Sequence, residues 1–192
     1  MAAPDIEKML RESLEDLKTL YRRTLPVKVG VMVTNSIKDN FRQGSFYGGD
    51  KWENPMRVTL HFRGTAGQYG PLLSGNNNLV ENNKYEVVPG GVIIRNNTVY
   101  AATHNDGEDI TVTERMRRFF WAKHLEDKER LGVNSPEAEF WKRMALKKPG
   151  TSIKIPRRHY LGPGPEVDAI VLQIIEKESQ QYINTHFNGT TT

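Results

Sequence analysis

The sequence predicts an α+β fold, a small antiparallel sheet flanked by several helices, with extended loops or arms. Three observations lead there. Stretches with apolar residues three and four apart stand at both ends of the chain and again between residues 113 and 150. The β-branched runs are short and gather around turn residues, as in hairpins. Strands and helices do not alternate regularly, which sets aside a parallel doubly wound sheet. At 192 residues the chain is expected to form one domain, 1–192, with an N-terminal helix over 1–24 and a flexible tail at 188–192.

Taken in order, PDIEKMLRESLEDLKTLYRR reads as an amphipathic helix. Ile6, Leu10, Leu14, Leu17, Leu20 and Tyr21 form one stripe, which is expected to face the core. Pro4 suits the first turn, and Asp5 and Glu7 suit the positive end of the helix dipole. In LPVKVGVMVTNSIKDNFRQ two periods compete. Val27, Val29, Val31 and Val33 alternate as in a strand, whereas Val33, Ile37 and Phe41 step by four and predict a helix through Phe41. GSFYGGDKWENP is loop chemistry, with Trp52 as its anchor to the core.

Residues 56–71 carry little pattern and read as a frayed helix or an exposed loop. YEVV and GVII flank Pro89-Gly90-Gly91 and predict a hairpin. TVYAATH continues as a strand or begins a short helix. DITV predicts a short strand, and Thr113 is placed to cap the helix that follows. A second capped helix starts at Ser135 and Pro136 and stops before Gly150. SIKIP reads as a last strand. The closing helix then carries Val167, Ile170, Val171, Ile174 and Ile175 on one face.

Composition narrows the function. The apolar share of 37% is low for a compact globule, as expected where arms depend on neighbouring subunits. There is no cysteine, which removes disulfides and thiolate metal sites. The N-terminal run is charged throughout and lacks a signal-peptide core, and no stretch approaches the roughly 20 apolar residues of a membrane span. A soluble chain without membrane contact is expected.

His61, His104, His124, His159 and His186 are scattered. HNDGED gathers His104, Asp106, Glu108 and Asp109, but in neither the H-E-x-x-H nor the EF-hand spacing, so it reads as a solvated turn. Ser74 lacks the G-x-S-x-G elbow, and PGG and GPGP lack the order that cradles phosphate. No enzyme, cofactor or metal is predicted. A metal-dependent hydrolase centred on His104 is the reading these patterns set aside.

The charge pattern is more informative. Net charge is only +4, yet from Lys142 to Arg158 the chain has Lys142, Arg143, Lys147, Lys148, Lys154, Arg157 and Arg158 with no acid between them. RMRRFFWAKH repeats the theme, and its three adjacent rings cannot share one helical face, so part of the triplet packs inside. Two readings stay open. One is a DNA-binding protein using 142–158, with Trp141 and Tyr160 to stack on bases. The other is a docking surface within an assembly. In IPRRHYLGPGP the Pro-Gly bracket fixes the direction of the chain. Arg157 and Arg158 are expected to point outward as forks for carboxylates on another chain, with Tyr160 and Leu161 packed. Together with Lys147 and Lys148 these four residues form the candidate assembly interface.

SIKDNFRQGSF, GGDKWENP, PLLSGNNNL, VYAATHNDG, TERMRRFFWAKH and IPRRHYLG follow one another across residues 36–178. In that order they resemble the landmarks of the phage virion morphogenesis family, the tail-completion proteins of Mu-like and related contractile-tailed bacteriophages. His159 stands where that family usually has proline, and GPGP where it usually has polar residues. The resemblance implies a non-enzymatic structural protein that terminates or completes the tail, or joins tail to head at the neck as a connector. It implies a homo-oligomeric ring, hexameric from the symmetry of the tail or dodecameric against the portal. Its partners would be further copies of itself and other neck or tail proteins, with passing contact with DNA. The protein would be made in the cytoplasm of the bacterial host and end in the tail or neck of the virion. Across the ring interface, the acidic N-terminal helix is expected to meet the basic 142–158 region.

Overall fold

A computed structural model describes residues 5–64 and 67–188. Residues 1–4 of the expected N-terminal helix, and 189–192 of the expected 188–192 tail, lie outside them. In chain order the elements begin with α1 (Ile6–Thr19), α2 (Leu25–Gln43), α3 (Met56–Thr59), α4 (Asn78–Glu81), β1 (Asn83–Val88) and β2 (Gly91–Asn96). There follow α5 (Ala101–Asp106), β3 (Glu108–Thr111), α6 (Glu114–Leu131), α7 (Pro136–Ala145), β4 (Ser152–Ile155) and α8 (Pro165–Ile183). This is an α+β fold. The strands expected in one small sheet form two separate antiparallel ladders, β1–β2 and β3–β4. The chain divides into two compact units, the first taken from residues 1–38, 83–96 and 162–192, the second from 39–82 and 97–161.

In the first unit Asp5 caps α1, its carboxylate accepting from the Lys8 N–H at 3.2 Å. From Leu20 to Thr24 the chain makes a π turn and runs without a break into α2. Pro26 supplies the cause. It has no N–H to donate, and in a regular helix its ring presses on the carbonyl four residues back. The widened turn relieves this, with the Leu25 N–H reaching Leu20 O, five residues back. The step of four prevails over the alternating valines: Val33, Ile37 and Phe41 are buried, while Val27 and Val31 are exposed. The stripe on α1 does not face a core, contrary to expectation. Ile6, Leu10 and Leu14 are 67%, 65% and 51% exposed, and burial begins only at Leu20.

α8 starts at Pro165 and runs out through a second π turn, Asn184–Asn188. The five aliphatic residues expected on one face are all half-buried. Lys28 reaches the buried carboxylate of Glu178 at 2.5 Å, tying α2 to α8. The Tyr182 hydroxyl donates to Ser13 O at 2.6 Å, tying α8 to α1. The predicted hairpin forms with Pro89-Gly90 as its turn, Gly90 taking a φ of 83°. Its open end is clasped by the Asn96 amide donating to Asn83 Oδ1 at 3.2 Å. Tyr85 lies flat against α2 at Gly30, where a Cβ would collide with the ring.

In the second unit Thr113 caps α6 and Ser135 caps α7, both as predicted. α6 and α7 fold back on each other. The Ala138 carbonyl accepts from His124 Nδ1–H at 2.8 Å, and Trp141 Nε1–H donates to Asp127 at 3.0 Å. Of the adjacent rings in α6, Phe120 is buried while Phe119 and Trp121 are exposed, as one helical face requires. The α6–α7 pair closes the excursion between β3 and β4, in which Asp109 stands opposite Lys154. Trp52 anchors its loop edge-on against Phe41 at 5.9 Å. Among the described residues no helix is long and apolar enough to cross a membrane.

Candidate functional site

The segment from Ile155 to Leu161 lies in the second unit, laid against the end of α5. β4 stops where Pro156 has no N–H to offer the ladder. The next residues are fixed one by one. Gly107, at a φ of +76°, lets the chain pass so closely that a Cβ there would stand 2.9 Å from the Arg157 nitrogen. The Arg158 N–H donates to His104 O at 2.9 Å. The N–H groups of Tyr160 and Leu161 both donate to Asn105 Oδ1, at 3.0 and 2.9 Å. On the other side the Asn40 amide donates to Tyr160 O at 3.4 Å, and its Oδ1 accepts from the Tyr47 N–H at 2.8 Å. HNDG is therefore not a solvated turn. It is the template on which IPRRHYLG is laid.

Tyr160 is 1% exposed, with its ring tilted against Phe41 at 4.7 Å and its hydroxyl donating to Ala101 O at 3.3 Å. Burial pushes the phenol up to about 12. Leu161 is half-buried. His159 stacks on Phe46 at 4.1 Å, and burial, aided by the Arg157 charge, holds its imidazole below the usual histidine range.

The two arginines part company. Arg157 is exposed as expected, but Arg158 is only 6% exposed and turns inward, where Nε donates to Glu53 O at 3.0 Å. The reason is the alternation of an extended chain, in which residues two apart share a side. Tyr160 points in, so Arg158 points in; Arg157 points out, and half-buried His159 lies over Phe46. Lys142, Arg143, Lys148 and Lys154 are exposed, and Lys147 is half-buried. Of the predicted interface, Arg157, Lys147 and Lys148 thus present charge to solvent, while Arg158, Tyr160 and Leu161 hold the segment in place.

Sequence reasoning passed over Asn40, Asn105 and Glu53, which bind this segment through single atoms. Asparagine two residues before a glycine is the one signal the chain offered for Asn105. Among the described residues no group of three or more His, Asp or Glu side chains is placed to hold a metal ion.

The model of the phage virion morphogenesis family matches residues 3–180. The chain belongs to that family. No curated protein and no solved structure matches it. Membership in the phage virion morphogenesis family makes the protein a structural component of the phage virion. The matched stretch takes in α5, the segment laid on it and nearly all of α8.

Proposed function

We propose that the protein completes the tail, or joins tail to head, by closing into a ring of identical subunits. The observation that supports this best is the uncovered apolar stripe of α1. Ile6, Met9, Leu10 and Leu14 are each more than half exposed, and a contiguous apolar face of this kind is the mark of a surface awaiting a partner. A second copy of the chain is the occupant that a homo-oligomer offers. The same subunit exposes Lys148, Lys154 and Arg157, while Glu7, Glu12, Glu15 and Asp16 of α1 already pair with Arg11, Lys8, Lys18 and His186, so a charged contact with a neighbour has to exchange those pairs. Two unlike surfaces on one subunit are what a head-to-tail contact needs, and such contacts close into rings when the rotation permits. The tail's symmetry favours a hexamer, and a seat against the portal a dodecamer. Other neck or tail proteins would meet the faces of the ring. In this reading Tyr160 and Leu161 shape the loop that presents Arg157 and do not touch the neighbour.

Native mass spectrometry with electron microscopy of the purified chain tests the proposal. Closed rings of six or twelve are expected, lost on Leu10→Glu with Leu14→Glu while the helical circular dichroism persists. A chain that stays monomeric at high concentration sinks the ring. Rings that survive Lys148→Glu with Arg157→Glu sink the charged contact alone.

A further inference from the structure

A cavity of about 230 Å³ opens beside the segment just described. Arg57, Arg158 and His104 line it, with Ser74 and Tyr100 at its exposed rim. Arg158 is nine-tenths buried, yet the only bonds of its side chain among the described residues run from Nε to the Glu53 backbone carbonyl. Its two terminal nitrogens find no acceptor there, and no described carboxylate comes within ion-pair distance of them. Glu53, the acid whose charge it feels most, keeps its own side chain in solvent. His104 Nδ1 is likewise buried without a partner. Arg57 adds a second guanidinium to the wall, braced by the carbonyls of Gly70 and Leu73 at 2.8 and 2.9 Å.

Two guanidinium groups around one cavity repel each other, and a buried cation without a counter-charge is costly. The planar fork of arginine matches the two oxygens of a carboxylate or phosphate. We infer that this cavity binds a small oxyanion, a carboxylate or phosphate group, gripped by Arg158 and Arg57 with His104 as a further donor. The rim hydroxyl of Ser74, which donates to Asn76 Oδ1 at 2.9 Å, is re-aimed toward it on binding. The volume supports a group of this size. It has room for several waters, and it falls below the ~300 Å³ at which sites for larger organic ligands begin. The inference stands whether or not the chain closes into a ring. Two sources supply the same chemistry: a free anion, or an Asp or Glu side chain of a second copy.

The imidazole of His104 reports directly on the cavity, because Arg158 and burial now hold its pKa down and an anion in the site would raise it. The experiment is a nuclear magnetic resonance titration of the histidine side chains of the full chain, with His104 assigned by His104→Gln. Inorganic phosphate and acetate are added separately to dilute protein at constant ionic strength. A saturable movement of the His104 signals with an upward pKa shift of about half a unit or more is expected. Arg158→Lys should weaken binding by about tenfold or more through loss of the fork, while exposed Arg157→Lys should leave it unchanged. Should Arg158→Lys fail to fold, Ser74→Ala at the rim serves as the second variant, with weakened binding expected. A His104 shift on self-association that phosphate then competes away assigns the occupant to a neighbouring copy. His104 signals that ignore both anions and self-association overturn the inference, as does unaltered binding in folded Arg158→Lys.

Discussion

Alanine and phenylalanine at position 160 should give sharply different proteins. Tyr160 is the largest fully buried side chain among the described residues, and it meets Phe41 and the Ala101 carbonyl. Removing the ring leaves a cavity of aromatic size, which costs about 3–5 kcal/mol in a packed core. Removing only the hydroxyl loses one hydrogen bond, long at 3.3 Å, at the low end of roughly 0.5–1.5 kcal/mol. With a urea dependence of about 2 kcal/mol per molar, the midpoint falls by about 2 M for Tyr160→Ala and by no more than about 0.5 M for Tyr160→Phe. Urea unfolding followed by tryptophan fluorescence and circular dichroism reads both. The phenol adds a second signature. Folding favours its neutral form, so the contribution of this group is intact below pH 10, the unfolded value, and declines as pH climbs toward about 12, where the folded group ionises. Tyr160→Phe should abolish that decline. If Tyr160→Ala unfolds within about 0.5 M of the parent chain and loses self-association instead, the ring is a plug for a neighbour and the reasoning here fails.

Asn105→Ala strips one acceptor from two backbone N–H groups and should cost about 2 kcal/mol in the same urea assay, with Asn105→Asp recovering part of it. Gly107→Ala should destabilise by about 2 kcal/mol or more, since a left-handed φ adds about 1–2 kcal/mol for any other residue and the new Cβ would press on Arg157. Both ring nitrogens of His186 face acceptors, the Tyr182 carbonyl at 3.0 Å and Asp16 at 3.1 Å, and these raise its pKa, the carbonyl most. Its contribution is therefore whole below about pH 6.5 and fades as pH rises through the folded value. His186→Gln should flatten the pH dependence of thermal unfolding in that window.

Much of the fold was legible because the signals were local. Thr113 and Ser135 announce their helices through cap chemistry, and Pro89-Gly90 announces the hairpin through the one residue that accepts a positive φ. The valines of α2 were ambiguous for a physical reason, since β-branched side chains suit both periods. Only the spacing of Val33, Ile37 and Phe41 decided between them. Charge alone points Arg158 outward, whereas an inward Tyr160 dictates an inward residue two places earlier. The exposed stripe on α1 looks in sequence like any core-facing helix. Amphipathicity specifies that a face seeks cover and is silent on whose atoms provide it. The division of the strands into two ladders was hidden because β3 finds its partner only after α6 and α7 have been traversed. Asn40 and Asn105 act through single atoms on distant backbone, which no local pattern records.

The hairpin offers a practical handle. The chain leaves the second unit after Asn82, makes only β1 and β2, and re-enters at Asn97 with the two ends clasped together. Such an excursion can grow or shrink at its tip without rerouting anything else. A short epitope spliced between Pro89 and Gly90 would ride in solvent on an intact scaffold. Antibody labelling of finished particles would then reveal the protein's whereabouts along the phage without disturbing the surfaces that assembly is proposed to use.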